Sequence, residues 1–456
     1  MKFKMLFIYL FFVMAFVAKG QDVPLPTATQ LAWQDAELVA LFSYDLHVFE
    51  GNKYVQPTNR IQPISDVNIF NPMELDTDQW IKAIKKAGFK MAILTVTHET
   101  GFALYQSDVN PYCLKAVKWR SGKGDIVRDF VKSCQKYGIK AGIFVGIRWN
   151  SFLGVHDFKV QGDSEFAKNR QQFYNKMCEG MVKELCTRYG DWSIIWFDGG
   201  AHGPAQGGPD VLSIVEKHQP NCLFYHNLQR ADMRWGGSES GTVPYPCWGT
   251  FNDSTWFSKR GDAIDFKPIK YGYPDGKYYI PAMSDAPLRG YKGRHEWFWE
   301  PNDEAYIFPV NNLLAMYDKS VGHNTSLILG LTPDDKGRLP KADSDTLLAF
   351  GNQLKVLYGN AISEKNYTTE NLTLDIPKGK IVKKIVVQEA IEQGERVRSF
   401  LIKGKKNGQW ETVFEGSCIG HRFIFDCPLD KQNYDQVALE IVQAVGKAKI
   451  KRFAVF

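Results

Sequence analysis

At 456 residues, 44% hydrophobic and 23% charged, the chain has the length of one large domain plus a smaller one. Its composition is that of an ordinary globular protein, which excludes disorder, collagen-like repeats and coiled coil. The formal charge of +6 halves to +3 once Lys2, Lys4 and Lys19 of the N-terminal segment are set aside, too little for a nucleic-acid footprint.

The N-terminus places Lys2 and Lys4 before an apolar run over 5–17 and then Ala18-Lys19-Gly20, the order of a secretory signal peptide over 1–20. The expectation is an exported protein, periplasmic or extracellular, with no stable membrane insertion after cleavage. The apolar run is shorter than the roughly 20 residues a span needs, and no comparable stretch follows.

From 21 to 352, short apolar runs at 38–44, 91–96, 141–147, 194–197, 223–225, 278–282 and 327–329 alternate with amphipathic stretches such as 78–88, which ends at Gly88. That rhythm predicts an α/β fold, a (β/α)8-type barrel, with functional residues gathered where strands end. Residues 353–366 read as a connector. From 367 to 456 the texture changes to alternating strand-like segments with polar turns, the pattern of a separate antiparallel β-sandwich.

The eight cysteines include no CxxC pair, so metal or redox motifs have no support. Cys178 and Cys186, about 12 Å apart along a predicted helix, are too far apart to bridge. Cys418 and Cys427 could face one another across a hairpin, and buried free thiols are the alternative. No HExxH, P-loop, EF-hand loop or GxSxG elbow occurs, and no cofactor or metal is expected.

Candidate chemistry sits at the predicted strand ends. Ile194-Ile195-Trp196-Phe197-Asp198-Gly199-Gly200 puts a carboxylate where a strand meets a glycine turn, and Glu239 lies among small residues between Trp235 and Trp248. Either could instead be a turn former or a solvated loop acid. Two such carboxylates suit glycoside hydrolysis, with retention or inversion decided by their separation. His47, His98, Glu99, Arg148, Trp149 and His226 follow other runs. The chain is rich in aromatics at 14%, and Trp149, Trp235, Trp248 and Trp297 are candidates for the flat faces that hydroxyl-rich ligands need beside hydrogen-bonding tips.

At Trp196-Phe197-Asp198-Gly199 the chain resembles glycoside hydrolase family 29, the retaining α-L-fucosidases. His98-Glu99-Thr100-Gly101-Phe102 is similar to that family's His-His-x-Gly-Phe block. Ser320-Val321-Gly322-His323-Asn324 with Leu327-Ile328-Leu329 resembles its last barrel strand. Gln388-Glu389, Gly394-Glu395-Arg396-Val397 and Ile419-Gly420 resemble the C-terminal sandwich of the branch acting on branched α-1,3/1,4-fucosides. The resemblance implies an exo-acting fucosidase on fucosylated oligosaccharides or glycoconjugates, with Asp198 as nucleophile and Glu239 as acid/base. Ser43 and Glu99 stand where the family usually has histidines that contact fucose, so His47 and Glu99 are expected to take over those bonds. The rival expectations are a related glycosidase acting on another sugar, such as an L-galactose-like unit, or another linkage, and a noncatalytic carbohydrate-binding protein.

Overall fold

The computed structural model describes residues 23–51, 53–225, 229–252, 266–368 and 372–456. The signal segment over 1–20 and His226 lie outside them. No helix among the described residues is long and apolar enough to cross a membrane.

Eight parallel strands form one sheet: β1 (Leu38–Phe42), β2 (Met91–Thr97), β3 (Lys140–Val145), β4 (Ile194–Trp196), β5 (Leu223–Tyr225), β6 (Arg234–Trp235), β7 (Ala282–Pro287) and β8 (Ser326–Leu331). Their spatial order is β5-β4-β3-β2-β1-β8-β7-β6, that of a barrel, although among the described residues no ladder joins β5 to β6. Strands β1, β2 and β8 are buried at every position. That is why they read as unbroken apolar runs: a parallel sheet is covered on both faces.

Helices pack outside the sheet. Thr77–Lys86 begins at Asp76, whose side chain accepts the Gln79 amide, and buries Trp80, Ile81 and Ile84. Trp80 stacks on Phe42 of β1, centroids 5.4 Å apart. Ile126–Tyr137 is capped by Asp125 and stops at Gly138 with φ 63°, a left-handed position that glycine takes at little cost.

The structure departs from the expected strands at two places. The run at 278–282 does not form the seventh barrel strand: Tyr278–Tyr279 pairs with Thr250–Phe251, and β7 starts only at Ala282. The eighth strand, β6, is two residues long and opens with the fully buried Arg234, so no hydropathy pattern announces it. Arg234 is satisfied by carbonyls, donating to Ile269 O at 2.9 Å, Ile280 O at 2.5 Å and Trp248 O at 2.6 Å.

The connector is shorter than the segment 353–366. The helix Lys341–Tyr358 runs into it, and β9 (Ser363–Thr368) occupies its end. The sandwich continues through β10 (Leu372–Asp375), β11 (Lys384–Glu389), β12 (Val397–Lys406), β13 (Gln409–Gly416), β14 (Phe423–Asp426), β15 (Gln436–Ala444) and β16 (Ile450–Val455). These form two antiparallel sheets, β9-β16-β11-β14 and β10-β15-β12-β13. Phe400, Ile402, Val387 and Phe453 fill the core between them.

The two domains share a packed face. Ile424, Val386 and Phe456 of the sandwich join the barrel's own core cluster, and Arg422 donates to Glu37 at 3.0 Å and to the Tyr317 hydroxyl at 2.5 Å. All eight cysteines are buried and free. Cys418 does not meet Cys427; its thiol donates to Cys247 O at 3.5 Å.

Candidate active site

A cavity of ≈ 700 Å³ opens where the barrel strands end. Asp198 reaches it two residues beyond β4, on a turn made by Gly199 and Gly200 at φ 66° and 95°. Glu239 enters from the loop after β6, His98 and Glu99 from the end of β2, Arg148 from the end of β3, and Trp235 from β6 itself. Trp297 comes from the loop after β7 and lies over β8, where Gly330 leaves it room: a Cβ there would sit 2.5 Å from the indole.

Seven residues expected in the site therefore converge: Asp198, Glu239, His98, Glu99, Arg148, Trp235 and Trp297. Three others do not line this cavity. His47 is 4% exposed, wedged between Tyr54 and Phe298 with ring centroids at 4.6 and 4.2 Å, and pairs with Asp45 at 3.5 Å; an imidazole enclosed by rings on a short 3-10 turn has no face left for a ligand. Trp149 lies under the Arg60 guanidinium at 4.2 Å and lines a small pocket beside the cavity with Asp198, His98, Glu99 and Arg148. Trp248 is 5% exposed and packs against Arg398 of the sandwich at 5.3 Å.

Glu99 does not present a free carboxylate. Arg60 donates from Nε to Oε1 at 2.7 Å and its Nη2 lies 2.7 Å from the same oxygen, while the Tyr54 hydroxyl donates to Oε2. A charge-assisted pair of this kind fixes both partners. Glu99 thus pins residues 54–60 against the cavity, where Tyr54, Gln56, Pro57 and Arg60 form a wall.

Glu239 is held from one side. Oε2 accepts Trp297 Nε1 at 2.9 Å and meets His295 Nε2 at 2.5 Å. Both donors ride on the loop after β7, which two arginines lock. Arg289 is fully buried against Asp343 and Asp303, and Arg294 pairs with Asp303 at 2.9 Å and Glu300 at 3.2 Å.

A third carboxylate, Asp285 on β7, sits deepest and accepts Trp235 Nε1 at 3.0 Å. Burial, then the charge of Glu239, and more weakly that of Asp198, hold its carboxyl well above the usual range, against the Trp235 hydrogen bond. Its surroundings thus favour the protonated form, which can donate a hydrogen bond. Burial and the same three carboxylates raise the Tyr225 hydroxyl.

Asp285, Tyr54, Arg60 and His295 were not found in the sequence. Asp285 obeys the strand-end rule that found Asp198, but Met-Ser-Asp-Ala-Pro does not look like a strand. Tyr54, Arg60 and His295 sit on loops that carry no periodic signal. Among the described residues no three His, Cys, Asp or Glu side chains are grouped to hold a metal ion.

Facing carboxylates, indoles and hydrogen-bonding tips at the C-terminal mouth of a parallel barrel define a carbohydrate-active α/β barrel. The alpha-L-fucosidase family profile matches residues 33–359, and the chain belongs to that family, glycoside hydrolase family 29. It is 53% identical to a Bacteroides thetaiotaomicron protein provisionally named an alpha-L-fucosidase; the crystal structure of that protein superposes with a TM-score of 0.92 over 95% of this chain and 99% of the other. A glycoside hydrolase 29 family member from an unknown rumen bacterium is 25% identical with a TM-score of 0.79, over 95% of this chain and 77% of the other. Alpha-L-fucosidase 1 of Arabidopsis thaliana is 25% identical over 442 residues, 88% of this chain and 81% of the other.

Proposed function

We propose that this chain is an exported, exo-acting, retaining α-L-fucosidase that releases terminal fucose from oligosaccharides or glycoconjugates and needs no cofactor. The observation that carries the reading is the sharing of one cavity by Asp198 and Glu239 in two different settings. Asp198 sits where β4 gives way to a glycine turn, at the position of a nucleophile, whereas Oε2 of Glu239 is taken by Trp297 and His295, which leaves Oε1 to face the leaving oxygen.

In the first step the Asp198 carboxylate attacks the anomeric carbon, the bond to the leaving oxygen breaks, and the Glu239 proton passes to that oxygen. In the second, Glu239 takes a proton from water as the water displaces Asp198, freeing the carboxylate and a sugar of unchanged configuration. Asp285 and His98 serve as hydrogen-bonding partners for ring hydroxyls, and Trp297 and Trp235 cover the apolar sugar face. The sequence likeness favours the α-1,3/1,4 branch.

Aryl α-L-fucoside turnover tests the reading, with aryl L-galactoside and fucosylated oligosaccharides in the same screen. Asp198→Ala should lower activity on every substrate by about 10³-fold or more. Proton NMR should show the α-anomer released first. Initial release of the β-anomer would refute retention, and a faster L-galactoside would reassign the sugar.

A further inference from the structure

The segment carrying Glu239 leaves the barrel at β6 and runs into the cleft between barrel and sandwich. It is held at several points along its length. The Gly241 amide donates to Asp285 O at 2.8 Å, and the Val243 amide to Lys319 O at 2.9 Å. The Tyr245 hydroxyl accepts the Ser417 and Cys418 amides at 3.0 and 3.1 Å and donates to Cys418 O at 2.9 Å. Its ring packs on Phe423 and Phe414, centroids 5.1 and 6.0 Å away. Cys247 O accepts Asn324 Nδ2 at 3.0 Å and the Cys418 thiol at 3.5 Å. The Gly249 amide is shared by both oxygens of Glu395, at 3.1 and 2.9 Å. The anchors at 245, 247 and 249 include groups of the sandwich.

The stretch around Glu239 is bounded by glycine turns. Gly237 and Gly241 flank it at φ +85° and +68°, positions with wide backbone freedom, and Ser238, Ser240 and Thr242 are linked hydroxyl to hydroxyl at 2.9 Å each. An acid must come within about 2.6–3.2 Å of the oxygen it protonates, and a misplacement of about 1 Å can cost on the order of 100-fold. Groups outside the loop hold it, Trp297 and His295 at the carboxylate and the anchors further along the segment.

We infer that the C-terminal sandwich positions the acid/base, with Tyr245 and Glu395 as positioning residues that fix the outgoing end of the Glu239 segment. The inference rests on the reading of Glu239 as acid/base. The sandwich is then part of the machinery of leaving-group departure, where a bracing or glycan-binding module alone would leave leaving-group dependence unchanged.

The test compares kcat/KM for 2,4-dinitrophenyl α-L-fucoside, whose leaving group needs little protonation, with that for methyl α-L-fucoside, whose leaving group needs it fully. Full-length Tyr245→Phe, Glu395→Gln and Glu239→Ala are measured together, with thermal unfolding as the check of fold. Tyr245→Phe should lose about tenfold on the methyl fucoside and stay within about twofold on the dinitrophenyl one, and Glu395→Gln should show the same split. Equal loss on both substrates, or none on either, in the variants that fold would overturn the proposal. A flat leaving-group dependence in Glu239→Ala would overturn the acid/base reading, and the proposal with it. A steep dependence there with a flat one in both positioning variants would overturn the proposal alone.

Discussion

Replacing Asp343 with alanine leaves a buried guanidinium with one carboxylate partner in place of two. Arg289 is fully buried and makes two bonds to Asp343, Nε to Oδ1 at 3.1 Å and Nη2 to Oδ2 at 2.5 Å; its third nitrogen turns to Asp303. Burial alone pushes the Asp343 carboxyl up, and the Arg289 bonds oppose that. Removing one partner of a buried pair costs about 3–5 kcal/mol, because the other charge stays desolvated. With an unfolding entropy of about 2.1 cal/mol/K per residue, a barrel the size of the 33–359 match loses about 1.5 °C per kcal/mol. The expected fall in Tm is about 4–7 °C by differential scanning fluorimetry. The double variant Arg289→Met with Asp343→Leu removes the under-paired guanidinium, leaving Asp303 to Arg294, and should recover at least half of the loss. A shift below about 1 °C in the single variant, or a double variant less stable than the single, would refute the reasoning.

The remaining predictions concern pH and the donors on Glu239. Burial raises the Glu37 carboxyl, but Arg422, His421 and Tyr317 outweigh it and bring its pKa from 4.5 down to about 2. A depressed folded pKa gives stability that is complete above pH 4.5 and lost as pH falls towards 2. The loss is about 3 kcal/mol, and Glu37→Gln should flatten the stability profile over that window in acid-unfolding titrations. Trp297→Phe keeps a ring over Gly330 but deletes one donor to Glu239. A bond to a charged group is worth about 1.5–3 kcal/mol, so kcat/KM on oligosaccharides should fall about 10- to 100-fold; an unchanged value would remove Trp297 from the acid's support.

Much of the barrel was legible because a parallel sheet buried on both faces writes itself as apolar runs, and β1, β2 and β8 do so. β6 and β7 were not, since their side chains serve other ends. Arg234 ties three backbone carbonyls together, and Asp285 faces the cavity. In the candidate site the strand-end rule found Asp198 and Glu99, the small-residue setting between Trp235 and Trp248 marked Glu239, and the likeness to the fucosidases gave it the acid/base role. The same rule placed His47 in the site although aromatic packing takes it into the interior. Residue type cannot separate a histidine that faces a cavity from one stacked behind it. The tie from Glu99 to Tyr54 and Arg60 is equally invisible, because it joins residues 39 and more apart in the chain.

The eight unpaired cysteines bear on how the chain can be made. Burial pushes the Cys178 and Cys186 thiols up to about 12 and that of Cys247 up to about 11, so almost no thiolate is present at neutral pH to react with oxidants or with a mixed disulfide. The native state needs neither an oxidant nor an isomerase. The folded domains reach the same thiol state in a reducing cytosol as in an oxidising compartment.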